Sequence, residues 1–286
     1  MLAPLAASQA SLPFTLGIAG SADAIVPFAT WDGQRWKNSW PEPVDDARPP
    51  LSFEDIPAEW WGAADRSETW ELLTSDGRRL GTRITGAVGA NIGSGCANTP
   101  GLTTSVPDGT YALQEGLATS RPGLLEPVRT LAPGGADWRS IASRLEAVFA
   151  LNEPPVRLEL GTAPGPDPQA PLAPPVLEAA FVSTDAGAEI AYAEASRRHA
   201  SADTLIGTWL WRASPASAFQ VVGVRSGLHW PDGKGMASLR PLGLVRVGEH
   251  RFWAGVYRSY AYAAPAVLEV GQSGVREWLV VDFPGC

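Results

Sequence analysis

The chain has 286 residues, 45% of them hydrophobic and 18% charged, with 30 Gly, 26 Pro and 12 Trp, which suits one large or two modest globular bodies. With 22 Lys+Arg against 30 Asp+Glu the formal charge is −8. The row of cations that neutralises phosphates is missing, so nucleic acid and anionic membrane surfaces are poor partners. No run approaches the roughly 18 uninterrupted apolar residues a spanning helix needs, and no transmembrane segment is expected.

Residues 1–12 read as a signal-peptide remnant or a flexible tail. Met1 to Ala10 are mostly small and apolar and end in Ser8-Gln9-Ala10, which resembles a secretory cleavage site without its charged n-region. The expectation is a bacterial protein exported to the periplasm, outer envelope or exterior; a cytoplasmic location is the alternative.

Residues 13–153 read as a β-rich N-terminal domain. Strands are expected at Phe14–Ala19, Ile25–Trp31, Gln34–Trp40, Thr69–Thr74, Arg79–Val88, Tyr111–Ala118 and Leu125–Leu131, with Asp32-Gly33 and Asp76-Gly77 as turns. A two-residue turn at Asp32-Gly33 would pair Trp31 with Gln34 and set Trp31, Trp36 and Trp40 on one face. Such indoles either fill a core or form a ligand platform for sugar rings or peptides, and the core is the commoner fate. Trp60 and Trp61, adjacent in sequence, cannot share a strand face, so one of them faces outward or an interface. Pro27 lacks an N–H, so its strand is expected to be an edge or to be interrupted there. Ser52-Phe-Glu-Asp55 resembles a capping box before a short helical turn. Trp138, Ile141, Leu145, Val148 and Phe149 recur at helical spacing, which predicts one amphipathic helix over 138–151 with Asp137 as its cap.

Residues 154–175 are proline-rich and read as a connector. Residues 176–286 then form a C-terminal antiparallel domain, with strands at Leu205–Trp211, Phe219–Val224, Leu239–Val247, Phe252–Tyr257, Ala266–Val270 and Trp278–Phe283. Between Thr184 and His199 the composition suits a helix, but Ile190, Tyr192 and Glu194 alternate as in a strand, and strand is preferred. The expected fold is therefore mostly β: two antiparallel units, meander, sandwich or barrel-like, with one packed helix. A single propeller-like domain is the alternative, weakened by the lack of a fixed repeat.

Chemistry is sparsely signalled. The glycine-rich segments 227–235 and 86–95 lack phosphate-loop and dinucleotide spacing, Gly271 to Gly274 is a turn, and no H-E-x-x-H helix occurs. No cofactor and no metal are expected. Cys96 and Cys286 lack metal-ligand spacing and are candidates for a disulfide in an oxidising compartment. The catalytic candidates are His229 and Asp232 at one turn and Glu249 and His250 at another, where a base could meet an orienting carboxylate; solvated turn residues are the simpler reading. A two-residue Gly248-Glu249 turn would set Arg246 opposite Arg251, which requires a longer loop or an intervening carboxylate. The preferred function is a non-catalytic binding or scaffold role with a carbohydrate, peptide or protein partner. An extracytoplasmic hydrolase acting on glycan or peptide bonds is the alternative.

Overall fold

A computed structural model of the chain describes residues 12–19, 24–41, 51–90, 99–105, 116–153, 173–199, 203–229, 235–259 and 262–284. Residues 1–11, both cysteines, Asp232 and 154–172 lie outside the described residues, and so do the expectations attached to them.

The chain divides into two compact units, Met1–Val128 with Arg240–Val270 and Arg276–Cys286, and Arg129–Leu239 with Gly271–Val275. This division differs from one at the proline-rich stretch. The helical segment before that stretch packs on strands that follow it, because its apolar face meets theirs (below).

The first unit begins with Phe14–Ala19 (β1), Ala24–Trp31 (β2), Trp36–Lys37 (β3), Leu51–Ser52 (β4), Thr69–Thr74 (β5), Arg79–Ala90 (β6), Thr99–Ser105 (β7), Gly116–Thr119 (β8) and Leu125–Glu126 (β9). Strands β1, β8, β5, β6, β7 and β2 follow one another in hydrogen-bonded order, and β1 also pairs with β2, so the sheet closes into a six-stranded antiparallel barrel. Closure removes the exposed edges an open sheet would present. Its core holds Ile25, Trp70, Leu72, Ile84, Leu102 and Ala118.

Period-two alternation sends Phe14, Leu16 and Ile18 to the other face, into a second cluster with Val245, Phe252, Val256 and Val267. Burial on both faces explains why β1 and β2 read as continuous apolar runs instead of alternating ones. Gly17 faces the barrel core, where an added Cβ would collide with the Ile25 side chain.

The hairpin register differs from the expected one. Trp31 pairs with Trp36, not with Gln34. The Asp32 carboxylate accepts the N–H groups of Gln34 and Arg35, each at 2.9 Å, and this side-chain turn widens the loop to residues 32–35. Pro27 lies in a non-edge strand that is interrupted at that point. On one side Gly17 pairs with Pro27 next to a bulge that leaves Phe28 extra; on the other, β7 pairs with Ala24 and Ile25, and β3 only with Thr30 and Trp31.

The second unit comprises Arg129–Thr130 (β10), helices Ala136–Ala142 (α1) and Leu145–Asn152 (α2), and Val176–Asp185 (β11), Ala188–Arg198 (β12), Asp203–Arg212 (β13) and Gln220–His229 (β14). Its five strands form one antiparallel sheet in the order β10, β11, β12, β13, β14. The ambiguous segment after Thr184 is strand. Ala191, Ala193 and Ala195 present small side chains on one face, and Ile141, Leu145, Val148 and Phe149 pack against that face. The single expected helix is two short ones, broken at Ser143 and Arg144, with Gly135 as the first N-cap in place of Asp137.

Asp137 is instead an ion-pair partner. Arg212 holds Asp137 at 3.0 Å and donates its Nε–H to Glu189 at 2.6 Å, while Arg197 binds Glu146 and Glu153, each at 2.7 Å. These two arginines are buried, and a buried cation is tolerated only when paired in this way.

The chain continues as Ser238–Val247 (β15), His250–Ser259 (β16), Tyr262–Gly271 (β17), Gly274–Val280 (β18) and Phe283–Pro284 (β19). The order β18, β17, β16, β15, β9, with β19 on β17, makes a third sheet, whose side chains complete the cluster around Phe14, Leu16 and Ile18. The mostly-β antiparallel expectation, with a barrel-like unit, matches this architecture; the propeller alternative does not. Among the described residues no helix is long and apolar enough to cross a membrane.

Candidate functional site

The two-residue turn Gly248-Glu249, with Gly248 at φ +60°, places His250 at the start of β16. Two residues further on, Phe252 lies on the same face of the strand and is buried. The His250 ring stacks on Phe252 with centroids 6.0 Å apart and planes 20° apart, yet its side chain stays 62% exposed.

Glu269 of β17 is the cross-strand partner of Phe252, so it shares that face. Both its oxygens are engaged: Oε1 lies 2.9 Å from His250 Nδ1, and Oε2 accepts the indole N–H of Trp278 on β18 at 3.0 Å. Partial burial of Glu269 opposes its ionisation. The hydrogen bonds from Trp278 and His250, with the charges of His250 and Arg276, outweigh that cost and hold its carboxyl below the usual range. An ionised carboxylate only accepts, so His250 Nδ1 carries the proton and Nε2 is the nitrogen left for a ligand or a proton.

Trp278 stands edge-on to Phe252 at 5.8 Å, and the Arg276 guanidinium lies 3.7 Å above the Trp278 ring. Behind them Phe252 touches Trp31 at 5.8 Å and Trp36 at 5.5 Å, and Phe14 meets Trp36 at 5.5 Å. The Nε1 atoms of Trp31 and Trp36 are buried and have no hydrogen-bond partner among the described residues. The result is a rim with an imidazole, a guanidinium and an aromatic edge, backed by packed rings.

The structure thus brings His250, Trp31 and Trp36 into one cluster. Trp31 and Trp36 are core residues there, 7% and 4% exposed, and their ring faces are taken by neighbouring aromatics. Trp40, expected on the same face, joins the barrel cluster, donating its N–H to Pro100 O at 2.5 Å and contacting Trp60 and Trp61 at 5.1 and 5.6 Å. Trp61 is buried and Trp60 half-buried; the two lie on the single 3-10 turn Ala58–Trp61 and not on a strand, so both reach Trp40 and neither is exposed. Glu249 is an exposed turn residue, and Glu269 takes the orienting position beside His250 in its stead. His229 ends β14 in the second unit, bridged to Gly235, and its buried Nδ1 has no hydrogen-bond partner among the described residues.

Arg246 and Arg251, each two residues from the Gly248-Glu249 turn, have the carboxylate that their spacing requires. Glu126 reaches Arg246 at 2.7 Å and Arg251 at 3.5 Å.

Sequence reasoning missed Glu269, Trp278 and Arg276. The available signal was a charged residue inside the apolar run Ala266–Val270, which demands a partner. The same signal marks Glu194, a carboxylate in the buried strand β12. Tyr192 donates to it at 3.1 Å and Ser238 at 2.5 Å. Among the described residues no group of three or more His, Cys, Asp or Glu is placed to hold a metal ion.

Nothing matches this chain among protein-family models, curated proteins or solved structures.

Proposed function

We propose that the chain is a binding protein of an exported or envelope compartment in a bacterium, with its ligand docking, without chemistry there, at the rim formed by His250, Trp278 and Arg276. The observation that carries this reading is the fixed yet exposed imidazole. Glu269 holds His250 through Nδ1 while the imidazole stays 62% exposed, on the rim that also carries a guanidinium stacked on an indole. A guanidinium donor and a pre-oriented imidazole Nε2 acceptor beside an aromatic edge suit a carbohydrate or peptide, which offers both acceptor oxygens and O–H or N–H donors, because little side-chain entropy is lost on binding.

The test is a titration of the full chain with neutral and acidic cell-wall oligosaccharides and short peptides, read by intrinsic tryptophan fluorescence. A saturable change is expected that weakens about tenfold or more in Arg276→Ala and in His250→Ala, as loss of a charge-assisted contact of about 1.5–3 kcal/mol implies. A saturable change that both variants retain in full would move the site elsewhere, and the lack of any change across the panel would remove the reading.

A further inference from the structure

A second cluster stands apart from the rim in chemistry and in unit. On β12, Ile190, Tyr192 and Glu194 alternate onto the sheet face opposite Ala191, Ala193 and Ala195. Glu194 is only 9% exposed, and a carboxylate so buried persists only where donors surround it. Three donors converge on it: the Tyr192 hydroxyl at 3.1 Å, the Ser238 hydroxyl at 2.5 Å and the backbone N–H of Leu239.

The neighbouring strands make room for this arrangement. Gly207 pairs directly with Glu194, and a Cβ there would press on the Tyr192 hydroxyl at 2.6 Å, so the glycine seats the tyrosine. Arg225 pairs with Gly207 and therefore shares the face. Its Nη1 reaches Ala237 O at 3.4 Å, one residue before Ser238, and Ser238 itself is only part-buried. The charged group that bears on the carboxylate is Glu178 from β11, and Arg225 of β14 lies on the same face one strand beyond Gly207.

We infer that the second unit carries an acyl-transfer site in which Ser238 is the nucleophile, Glu194 its general base, Tyr192 the residue that positions Glu194, and Arg225 the cation beside the developing oxyanion. The substrate class is a small ester or amide. The Ser238 Oγ forms a bond to the carbonyl carbon while its proton passes to Glu194. The carbonyl π electrons move to oxygen next to the Arg225 guanidinium. Collapse expels the alcohol or amine, which takes the proton from Glu194, and water repeats the sequence to release the acid and restore Ser238. Burial and the negative charge of Glu178 push the Glu194 carboxyl above the ordinary range against its three hydrogen bonds, so its ionised form is a stronger base than an ordinary carboxylate.

The experiment treats the full chain with a fluorophosphonate. Ser238 Oγ would bond to phosphorus, fluoride would leave and the proton would go to Glu194. One adduct per chain is expected, mapped to the peptide that contains Ser238, absent in Ser238→Ala, and formed about 100-fold more slowly in Glu194→Gln. The parent rate should climb with pH as Glu194 loses its proton, Tyr192→Phe should shift the midpoint of that climb, and Glu194→Gln should abolish it. Circular dichroism of each variant separates lost reactivity from lost fold. No adduct, an adduct that persists in Ser238→Ala, or a rate that Glu194→Gln leaves unchanged while folded would overturn the assignment. None of these outcomes bears on ligand binding at the His250 rim.

Discussion

Glu126 sits between Arg246 and Arg251 at the end of a strand pair, and its two oxygens serve one guanidinium each. Arg246 is 53% exposed, so its share is small, whereas Arg251, at 23%, is better shielded from water. Replacement Glu126→Gln should lower stability by about 1 kcal/mol in a denaturant titration, and Arg251→Leu in the same background should recover part of it. An unchanged midpoint would mean that the two cations do not need the carboxylate.

Glu269 and Glu194 titrate with opposite consequences. Glu269 has a lowered folded value, so its contribution is present above the unfolded carboxylate range and is lost as pH falls through the folded value. Glu194 has a raised folded value. Its contribution is complete below the unfolded range and is lost as pH rises through the folded value. Glu269→Gln should therefore melt below the parent near about pH 7, with the gap closing near about pH 3. Glu194→Gln should melt above the parent near about pH 8 and lose that advantage near about pH 4. Melting curves of both variants across pH check the signs, and a Glu194→Gln protein that melts lower at every pH would show that its hydrogen bonds outweigh its desolvation.

At the scale of elements, β1 and β5 match the sequence reading residue for residue, because β1 is a nearly continuous apolar run and the Asp76-Gly77 turn after Thr74 marks where β5 ends. The helix over 138–151 was legible as periodicity, but its break at Ser143 and Arg144 was not, since both residues tolerate a helix. Strand β7, Thr-Pro-Gly-Leu-Thr-Thr-Ser, has little apolar content and reads as loop. The ladders to β2 and β6 make it a strand, and pairing between distant segments is not written locally. For the same reason His250 could be named as a candidate while Glu269 could not: their meeting depends on the β16–β17 register. Gly17 tests the barrel closure. A Gly17→Ala change forces a methyl against Ile25 and, at 3.4 Å, toward Trp70, and should cost about 1–3 kcal/mol by overpacking. A variant as stable as the parent would argue against so tight a core.

For the whole molecule, chain order and compact units do not coincide. The chain leaves the first unit after Val128 and re-enters it at Arg240. Phe14, Leu16, Ile18 and Val26 depend for cover on Val245, Phe252, Val256 and Val267 from that return. A chain ended after Leu239 would expose this apolar face, so it should aggregate or lose its cooperative melt. A soluble, sharply melting product in size-exclusion chromatography and calorimetry would refute the dependence.

Trp31, Trp36, Trp40, Trp61 and Trp70 serve cohesion, and Trp278 stands at the proposed rim. Indole N–H resonances of the ¹⁵N-labelled chain test this most directly. On addition of a bound oligosaccharide or peptide, the Trp278 signal should move, and should be displaced beforehand in Glu269→Gln, while the signals of Trp40, Trp61 and Trp70 stay in place. Movement of those barrel signals with Trp278 unaffected would contradict it.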